Sequence, residues 1–161
     1  MKIGYIEKGK PDLDKIVPLW EMQKEYHRAL SKHFSGNFVK MTWTTRRNEL
    51  IKKSEGGFMR LDVATNTDTS NNIGYCISTV SKAGQGELDS IFILSEYRKH
   101  GIGDRLMRRA LTWMDEKHAR AKILIVGAGN EQVFSFYSRY GFFPRSIVLE
   151  QVKGTLWRPN I

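Results

Sequence analysis

Residues 91–104 read IFILSEYRKHGIGD, and this stretch is the most informative part of the sequence. Its first four residues are apolar, as at the end of a buried strand. Two glycines follow, Gly101 and Gly103, which allow a tight turn and a close approach of backbone to a ligand. An amphipathic helix is predicted from about Gly101 to His118, because apolar residues recur on one of its faces. The stretch therefore predicts a strand, a glycine-containing turn and a helix.

The start of this helix is suited to binding an anion. The first-turn N–H groups of a helix have no partner within it, and the positive end of the helix dipole adds to them. Arg98 supplies a charge-assisted donor, worth about 1.5–3 kcal/mol. A pyrophosphate fits this arrangement. The segment is neither a Walker loop nor a complete dinucleotide fingerprint, and an ordinary strand-to-helix turn would account for the glycines alone.

The rest of the chain alternates between strand and helix signals. The order is strand, two helices, three strands, helix, strand, helix, strand. Strands are predicted at residues 2–6, 58–64, 73–80, 87–94, 123–126 and 146–152, and helices from about residue 12, from Thr44 or Thr45 to 53, and at 101–118 and 131–140. This pattern predicts an α/β fold with a mixed sheet and helices on both faces, as one domain over residues 1–161.

Composition limits the classes of function. The net charge is +9, which favours polyanionic partners. The basic residues are spread along the chain, with one local cluster between Arg98 and Arg109 that would surround the phosphate site. We expect no specific nucleic-acid partner, because no binding motif accompanies the charge. We also expect no membrane partner, since no apolar run approaches about 20 residues. The absence of a secretory signal and the single Cys76, interpreted as a packed thiol, predict a cytoplasmic protein. No metal site is expected, since the histidines and acids lack ligand spacing.

A second motif follows the predicted strand at 123–126. Asn130, Tyr137, Gly141 and Phe142 are spaced as Asn-x6-Tyr-x3-Gly-Phe. Together with Arg98-x-x-Gly101-x-Gly103, this pattern resembles the GCN5-related N-acetyltransferase (GNAT) superfamily over residues 87–142. Residues 92–98, 130–131 and 136–137 look closest to the diamine acetyltransferase branch. The resemblance implies a single-domain α/β sandwich whose mixed sheet is splayed.

The resemblance also implies acetyl-CoA as the acetyl-donor cosubstrate. Backbone amides of residues 98–103 would hold the pyrophosphate, and backbone groups of Ile91 and Ile93 would pair with the pantetheine arm. An N–H near Ile93 would face the acetyl carbonyl, while the strand at 123–126 splays away to make room. Asn130 matches a residue that hydrogen-bonds the cofactor arm. The pyrophosphate loop comprises Arg98, Lys99, His100, Gly101, Ile102 and Gly103.

Three residues are candidates for catalysis. Tyr137 matches the general acid of the family, although a core tyrosine would satisfy the pattern on its own. An alkylamine has a pKa near 10.4 and must lose a proton before it attacks. Glu87 and Asp89 lie two apart, hence on one strand face, and a carboxylate on this strand often acts as the base in the family. Two alternatives to a base role remain: the two carboxylates form an ordinary surface pair, or one of them only binds a cationic substrate.

The predicted function is therefore acetyl-CoA-dependent N-acetylation. The acceptor is expected to be a primary amine of a small molecule such as a polyamine. Acetylation of a protein N-terminus or lysine is an alternative, and so is a non-catalytic acyl-CoA-binding regulatory module. The sequence also admits a homodimer.

Overall fold

A computed structural model describes residues 1–157 and contains five strands, five α-helices and three 3₁₀ turns in that range. The strands are β1 (Ile3–Lys8), β2 (Phe58–Asn66), β3 (Asn71–Val80), β4 (Gln85–Ile93) and β5 (Ala121–Leu124). The helices are α1 (Val17–Leu30), α2 (Ser35–Lys40), α3 (Trp43–Lys53), α4 (Ile102–Glu116) and α5 (Phe134–Ser138). The 3₁₀ turns are Lys10–Ile16, Ser95–Tyr97 and Glu131–Val133.

The five strands form one mixed sheet in sequential order. Neighbours from β1 to β4 are antiparallel, and β5 runs parallel to β4. Pairing between β4 and β5 ends at Leu88 and Leu124, so the second half of β4 has no strand on that side within residues 1–157. The predicted mixed, splayed sheet is confirmed. On the β3 side, the register shifts between Ile77 and Ser78 and leaves Asp89 as an extra residue of β4.

Helices cover both faces of the sheet, as predicted. The α4 face buries a cluster that includes Leu106, Ala110 and Cys76, and the opposite face packs Tyr75 and Ile77 with residues of α1 and α3. Successive β3 residues thus contribute to opposite faces, as the pleat requires. The α/β class is confirmed. No helix among residues 1–157 is long and apolar enough to cross a membrane.

Two local predictions on the α1–α3 side need correction. The cap of α3 is Thr42, whose Oγ1 accepts from the Thr45 N–H at 3.2 Å, rather than Thr44 or Thr45. Helix α2 forms in a stretch where no helix was predicted. Pro18 lies in the first turn of α1, where its missing N–H costs no helical hydrogen bond.

The last two predicted elements differ more from the structure. The predicted helix at 131–140 is a 3₁₀ turn followed by the short α5. The predicted strand at 146–152 is wrong for this structure: residues 142–152 have no regular structure, and Val148 is 89% exposed. A strand needs backbone partners, and none among residues 1–157 pairs with this segment.

Candidate active site

The gap between β4 and β5 opens into two adjoining cavities. The larger is a groove of about 450 Å³ beside the start of α4, and the smaller cavity of about 100 Å³ lies towards α1 and residues 124–127. Four residues line both: His27, Ile91, Asn130 and Tyr137. The two cavities therefore meet at one point, where three polar side chains are gathered.

The groove is formed at its base by the turn into α4. Gly101 has a φ of +74° and caps the helix, and Lys99 also has a positive φ, of +65°. A Cβ at Gly103 would lie 3.3 Å from Cζ of Phe136 and 3.4 Å from Cδ1 of Ile93. Glycine thus keeps the backbone of the first helical turn close to the groove. The predicted loop residues Arg98, Lys99, Gly101, Ile102 and Gly103 all line it.

Three basic residues, Arg98, Lys99 and Arg139, line the groove. Arg98 donates from Nε to the Ile93 carbonyl at 3.0 Å, and its guanidinium lies over the Tyr26 ring. These contacts fix the Arg98 side chain at the end of β4. His100 is not among the lining residues, and its Nδ1 lies 2.8 Å from the Arg98 carbonyl oxygen within the turn.

The basic cluster between Arg98 and Arg109 does not surround this groove as a whole. Arg105 lies over the Tyr5 ring of β1, and Arg109 donates to Asp62 of β2 at 2.7 Å. The two arginines are one helical turn apart and so share a face of α4 that is directed at β1 and β2. The expectation that the whole cluster surrounds the phosphate site is therefore wrong for Arg105 and Arg109, which are directed at β1 and β2.

The free edge of β4 presents backbone groups to the cavities. The Leu94 N–H donates to Ile73 on β3. Because N–H groups alternate in direction along an antiparallel strand, those of Ile91 and Ile93 are directed away from β3. The carbonyls at these two positions accept from side chains, Ile91 from Gln23 Nε2 at 3.3 Å and Ile93 from Arg98. The amides of Ile91 and Ile93 thus lie on the edge that the sequence predicted to pair with a ligand.

Asn130 is fixed between two polar neighbours. Its Oδ1 accepts from Gln132 Nε2 at 2.7 Å and from the Tyr26 hydroxyl at 3.5 Å. The side chain is nearly buried at the junction of the cavities. Its amide group is therefore oriented, with Oδ1 occupied by protein donors.

Tyr137 lines both cavities and packs edge-on against Phe136, with ring centroids 5.3 Å apart. Burial raises the pKa of its phenol to about 12. The phenol therefore keeps its proton at neutral pH, as a proton donor must.

Glu87 and Asp89 share one counter-ion. Lys53 Nζ lies 2.8 Å from Glu87 Oε2 and 2.6 Å from Asp89 Oδ1. Asp89 Oδ2 also accepts from Thr79 at 2.7 Å, and the Asp89 side chain is fully buried. Burial raises the pKa of Asp89, an effect that the hydrogen bonds from Lys53 and Thr79 oppose. The two carboxylates share a face as predicted, and only Asp89 borders the small cavity, through its backbone.

His27 lies on α1 where the two cavities join. Its ring stacks on Phe38 with centroids 6.0 Å apart, and burial lowers its pKa below the usual 6.5. A neutral imidazole has an unprotonated ring nitrogen that can accept a proton.

Cys76, by contrast, is fully buried on β3, and burial raises the pKa of its thiol to about 12. A thiol that keeps its proton is a poor nucleophile. The interpretation as a packed thiol is confirmed.

Comparison with protein families places this site in a known context. The model of the "Acetyltransferase (GNAT) family" matches residues 19–142. The chain belongs to the GNAT family. The matched range contains α4, the groove and the shared residues of both cavities.

Two curated relatives support the GNAT assignment. An uncharacterized N-acetyltransferase of Methanocaldococcus jannaschii is 27% identical over 146 residues, which are 86% of this chain and 60% of the relative. A mycothiol acetyltransferase of Corynebacterium glutamicum is 33% identical over 103 residues, 62% of this chain and 34% of the relative. The chain thus spans at most about 60% of the length of these relatives.

Solved GNAT structures share the fold. A PaiA N-acetyltransferase from Thermoplasma acidophilum, in complex with coenzyme A, superposes with a TM-score of 0.70 at 21% identity, covering 92% of this chain and 94% of that one. A GNAT protein from Ralstonia eutropha gives 0.70 at 15% identity, covering 95% and 100%. These likenesses confirm the GNAT fold and leave the diamine acetyltransferase branch as a prediction.

Several residues of the site were not predicted from the sequence. Gln23 and Tyr26 reach the site from α1, Gln132 orients Asn130, and Lys53 neutralises the carboxylates from α3. The hydrogen-bond partners of Gln23, Tyr26 and Lys53 lie 34–104 residues away in the sequence. No short motif contains such pairs. Gln132, in contrast, lies two residues after Asn130, and this position could have indicated a polar side chain near the cofactor arm.

Proposed function

We propose that this GNAT protein transfers an acetyl group from acetyl-CoA directly to a primary amine. The junction of the two cavities at His27, Ile91, Asn130 and Tyr137 is the observation that carries the proposal. The larger groove has the anion-binding end that the pyrophosphate of acetyl-CoA needs. The smaller cavity admits a compact group such as an aminomethyl terminus.

The chain's residues fit the parts of acetyl-CoA. The first-turn amides of α4, with Arg98 and Lys99, would hold the pyrophosphate. The amides of Ile91 and Ile93 would pair with the pantetheine arm as an added strand. Such an amide would also face the thioester oxygen and stabilise the negative charge that develops there.

Tyr137 would stabilise the departing sulfur by donating a hydrogen bond to the thiolate as it forms. A CoA thiolate has a proton affinity near that of cysteine, with a pKa of about 8.5. The buried phenol of Tyr137 has its proton available at the junction where the sulfur would lie. Direct transfer is favoured over a covalent acyl-enzyme, because Cys76 is a buried neutral thiol.

The amine must lose a proton to become a nucleophile. The predicted role of Glu87 or Asp89 as base stays a prediction, since Lys53 occupies both carboxylates. We propose His27 as the proton acceptor, directly or through water, because it borders both cavities and is neutral at pH 7. Lys53 pairs with both carboxylates, and the guanidinium of Arg46 donates to the Asp89 carbonyl at 2.9 Å beside them. Loss of either carboxylate would therefore leave an excess of positive charge that repels a cationic acceptor.

The acceptor is proposed to be a small primary amine such as a polyamine, and the reaction to take place in the cytoplasm. Asp89 is the only charged residue among those that line the small cavity. No lysine or arginine of that lining would repel an ammonium group. A cavity of about 100 Å³ suits a slender amine terminus.

An acceptor screen tests the proposal. Purified protein is incubated with acetyl-CoA and polyamines, aminoglycosides or peptides, and free CoA is measured. The highest kcat/KM is expected for a polyamine. Binding of acetyl-CoA without CoA release for any amine would contradict the proposal and favour a non-catalytic acyl-CoA-binding module.

A further inference from the structure

Side chains occupy the carbonyl groups of β4 beyond the point where β5 leaves it. Pairing with β5 ends at Leu88, and the carbonyls at every second position after it each accept a hydrogen bond from a different part of the chain. Asp89 accepts from Arg46 of α3 at 2.9 Å, Ile91 from Gln23 of α1 at 3.3 Å, and Ile93 from Arg98 at 3.0 Å. An open strand edge otherwise presents unpaired backbone groups. These side chains therefore take over part of the role of the missing strand.

Gln23 is held in one orientation by its two partners. Its side chain is buried, its Nε2 donates to the Ile91 carbonyl, and its Oε1 accepts from the hydroxyl of Tyr75. The reversed amide would place Oε1 against the carbonyl oxygen of Ile91, and two acceptors form no hydrogen bond. The Ile91 carbonyl thus determines which way the Gln23 amide faces, and Tyr75 satisfies the amide oxygen.

Tyr75 gives this chain of hydrogen bonds a fixed origin. It lies on β3 opposite Phe92, in the cluster that α1 and α3 cover, and it is fully buried. Burial raises the pKa of its phenol, so the hydroxyl keeps its proton and continues to donate to Gln23. Because Tyr75 is fully buried, its hydroxyl can influence the cavities only through its neighbours.

The hydrogen bond from Gln23 also sets the direction of the Ile91 N–H. In an antiparallel strand the N–H and the carbonyl of one residue are directed to the same side. A donor that holds the Ile91 carbonyl towards the gap therefore holds its N–H there as well. The register shift beside Asp89 makes this part of β4 irregular, and a bulged strand bends and twists locally. Gln23 thus supplies the restraint that β5 supplies to residues 85–88.

We propose that Gln23 is a positioning residue for acetyl transfer, which fixes the Ile91 N–H at the junction of the two cavities, where that donor meets the thioester oxygen. Oxyanion stabilisation depends on donors that are oriented before the reaction and do not reorganise during it. Gln23 acts through Ile91 and undergoes no chemical change itself. The inference rests on the proposed acetyl transfer and adds Gln23 and Tyr75 to the residues that determine its rate.

Kinetics of three variants test this chain of contacts. Gln23→Met keeps an unbranched side chain and removes both polar atoms, and we expect kcat to fall by about 10- to 100-fold with little change in KM for acetyl-CoA. Tyr75→Phe removes the hydroxyl that Gln23 accepts from and should lower kcat by about 3- to 10-fold. In the double variant kcat should equal that of Gln23→Met, because Tyr75 acts through Gln23. Wild-type kcat in Gln23→Met, a rise in KM alone, or two effects that multiply would overturn the proposal.

Stability measurements separate positioning from packing. Gln23→Met leaves the buried Tyr75 hydroxyl without its acceptor and should lower the urea midpoint, whereas the double variant removes both polar groups and should regain much of that loss. Positioning predicts that kcat stays low in the double variant, and a kcat that recovers with stability would contradict it. Asn66→Met is the matched control, because it removes a buried amide whose oxygen accepts from the Asp68 N–H at the β2–β3 turn. Its kcat should equal that of the wild type.

Nuclear magnetic resonance reads the positioning without substrate. Backbone amide relaxation should show Ile91 as rigid as the paired residues of β3 in the wild-type protein and more mobile in Gln23→Met. An Ile91 amide that is equally rigid in both proteins would overturn the role of Gln23. A wild-type protein that acetylates no amine, but whose Ile91 becomes mobile in Gln23→Met, would overturn the proposed acetyl transfer and still support the restraint of Ile91 by Gln23.

Discussion

At the residue scale, Tyr137 is the side chain whose role is most easily isolated. Tyr137→Phe removes a hydroxyl and leaves the ring that packs against Phe136. We expect kcat to fall by roughly 10- to 1,000-fold, since general acid catalysis contributes about that much. KM for acetyl-CoA should change little, because the phenol acts mainly on the departing sulfur. Steady-state kinetics measure both values, and a Phe variant with wild-type kcat would reduce Tyr137 to a packing residue.

The base can be identified from a pH–rate profile. His27 has a pKa below 6.5, so a neutral His27 should give a rate that rises with pH below that value and is level above it. In His27→Gln the rise should move towards the pKa of the amine itself, near 10.4. Glu87→Gln and Asp89→Asn should raise KM for a cationic acceptor and leave the profile in place.

The pH–rate profiles of these variants distinguish a His27 base from a carboxylate base. A profile that shifts in Asp89→Asn or Glu87→Gln, but not in His27→Gln, would support the carboxylate as base and contradict the role of His27. Each profile is measured at saturating acetyl-CoA, so that changes in cofactor affinity do not contribute.

At the scale of elements, the N-terminus of α4 holds the proposed pyrophosphate site. Gly103→Asp would place a side chain against Phe136 and Ile93 and add negative charge to the groove. We expect calorimetry to show at least a 100-fold loss of affinity for CoA. Gly36→Asp is the matched control, because a Cβ at Gly36 meets nothing within 4 Å and its φ is not positive. If both variants are folded and bind CoA with equal affinity, the pyrophosphate site does not lie at the start of α4.

The contact between α4 and β2 is an ionic one. Asp62 is buried and accepts from Arg60 at 2.6 Å and from Arg109 at 2.7 Å. Asp62→Asn leaves two guanidinium groups without their carboxylate, and we expect the free energy of unfolding to fall by about 3 kcal/mol. Urea denaturation measures the free energy of unfolding. The control is Asp115→Asn, which removes an exposed ion pair with Lys122 and should lower the free energy of unfolding by less than about 1 kcal/mol. A similar small loss in both variants would contradict a structural role for Asp62.

Elements with their own periodicity were predictable from the sequence. The β2–β3 hairpin, β4 and α4 each carry a local apolar pattern, and the glycines of the pyrophosphate loop lie next to α4 in the chain. Residues 146–152 have an equally clear strand pattern, yet whether a strand forms depends on a pairing partner that no local pattern reveals. Helix α2 has little periodicity, which is why the sequence did not predict it.

The site shows the same division. Gly101, Gly103, Asn130 and Tyr137 were predicted because they belong to a spaced motif. The neutralisation of Glu87 and Asp89 by Lys53 was not, since it joins α3 to β4 across 34 and 36 residues. The position of His27 at the junction of the cavities likewise depends on how α1 packs across the sheet.

At the scale of the whole molecule, both the positive charge and the arrangement of the two cavities favour the binding of acetyl-CoA beside an amine. The net charge of +9 is spread over the surface, while the groove itself is lined by Arg98, Lys99 and Arg139. A long-range positive field raises the rate at which a polyanion such as acetyl-CoA arrives, and the local donors hold it. No lysine or arginine lines the acceptor cavity, and the groove and the cavity meet beside Tyr137, as direct transfer from an anionic donor to an amine requires.

Mass spectrometry of one reaction mixture distinguishes direct acetyl transfer from its alternatives. The protein is incubated with acetyl-CoA and a polyamine, and the amine, the CoA and the intact protein are all weighed. Direct transfer predicts acetylated amine and free CoA in equal amounts, with the protein mass unchanged at every time point. Acetyl-CoA consumed without acetylated amine, or a protein that carries an acetyl group on Cys76 before the amine does, would contradict it.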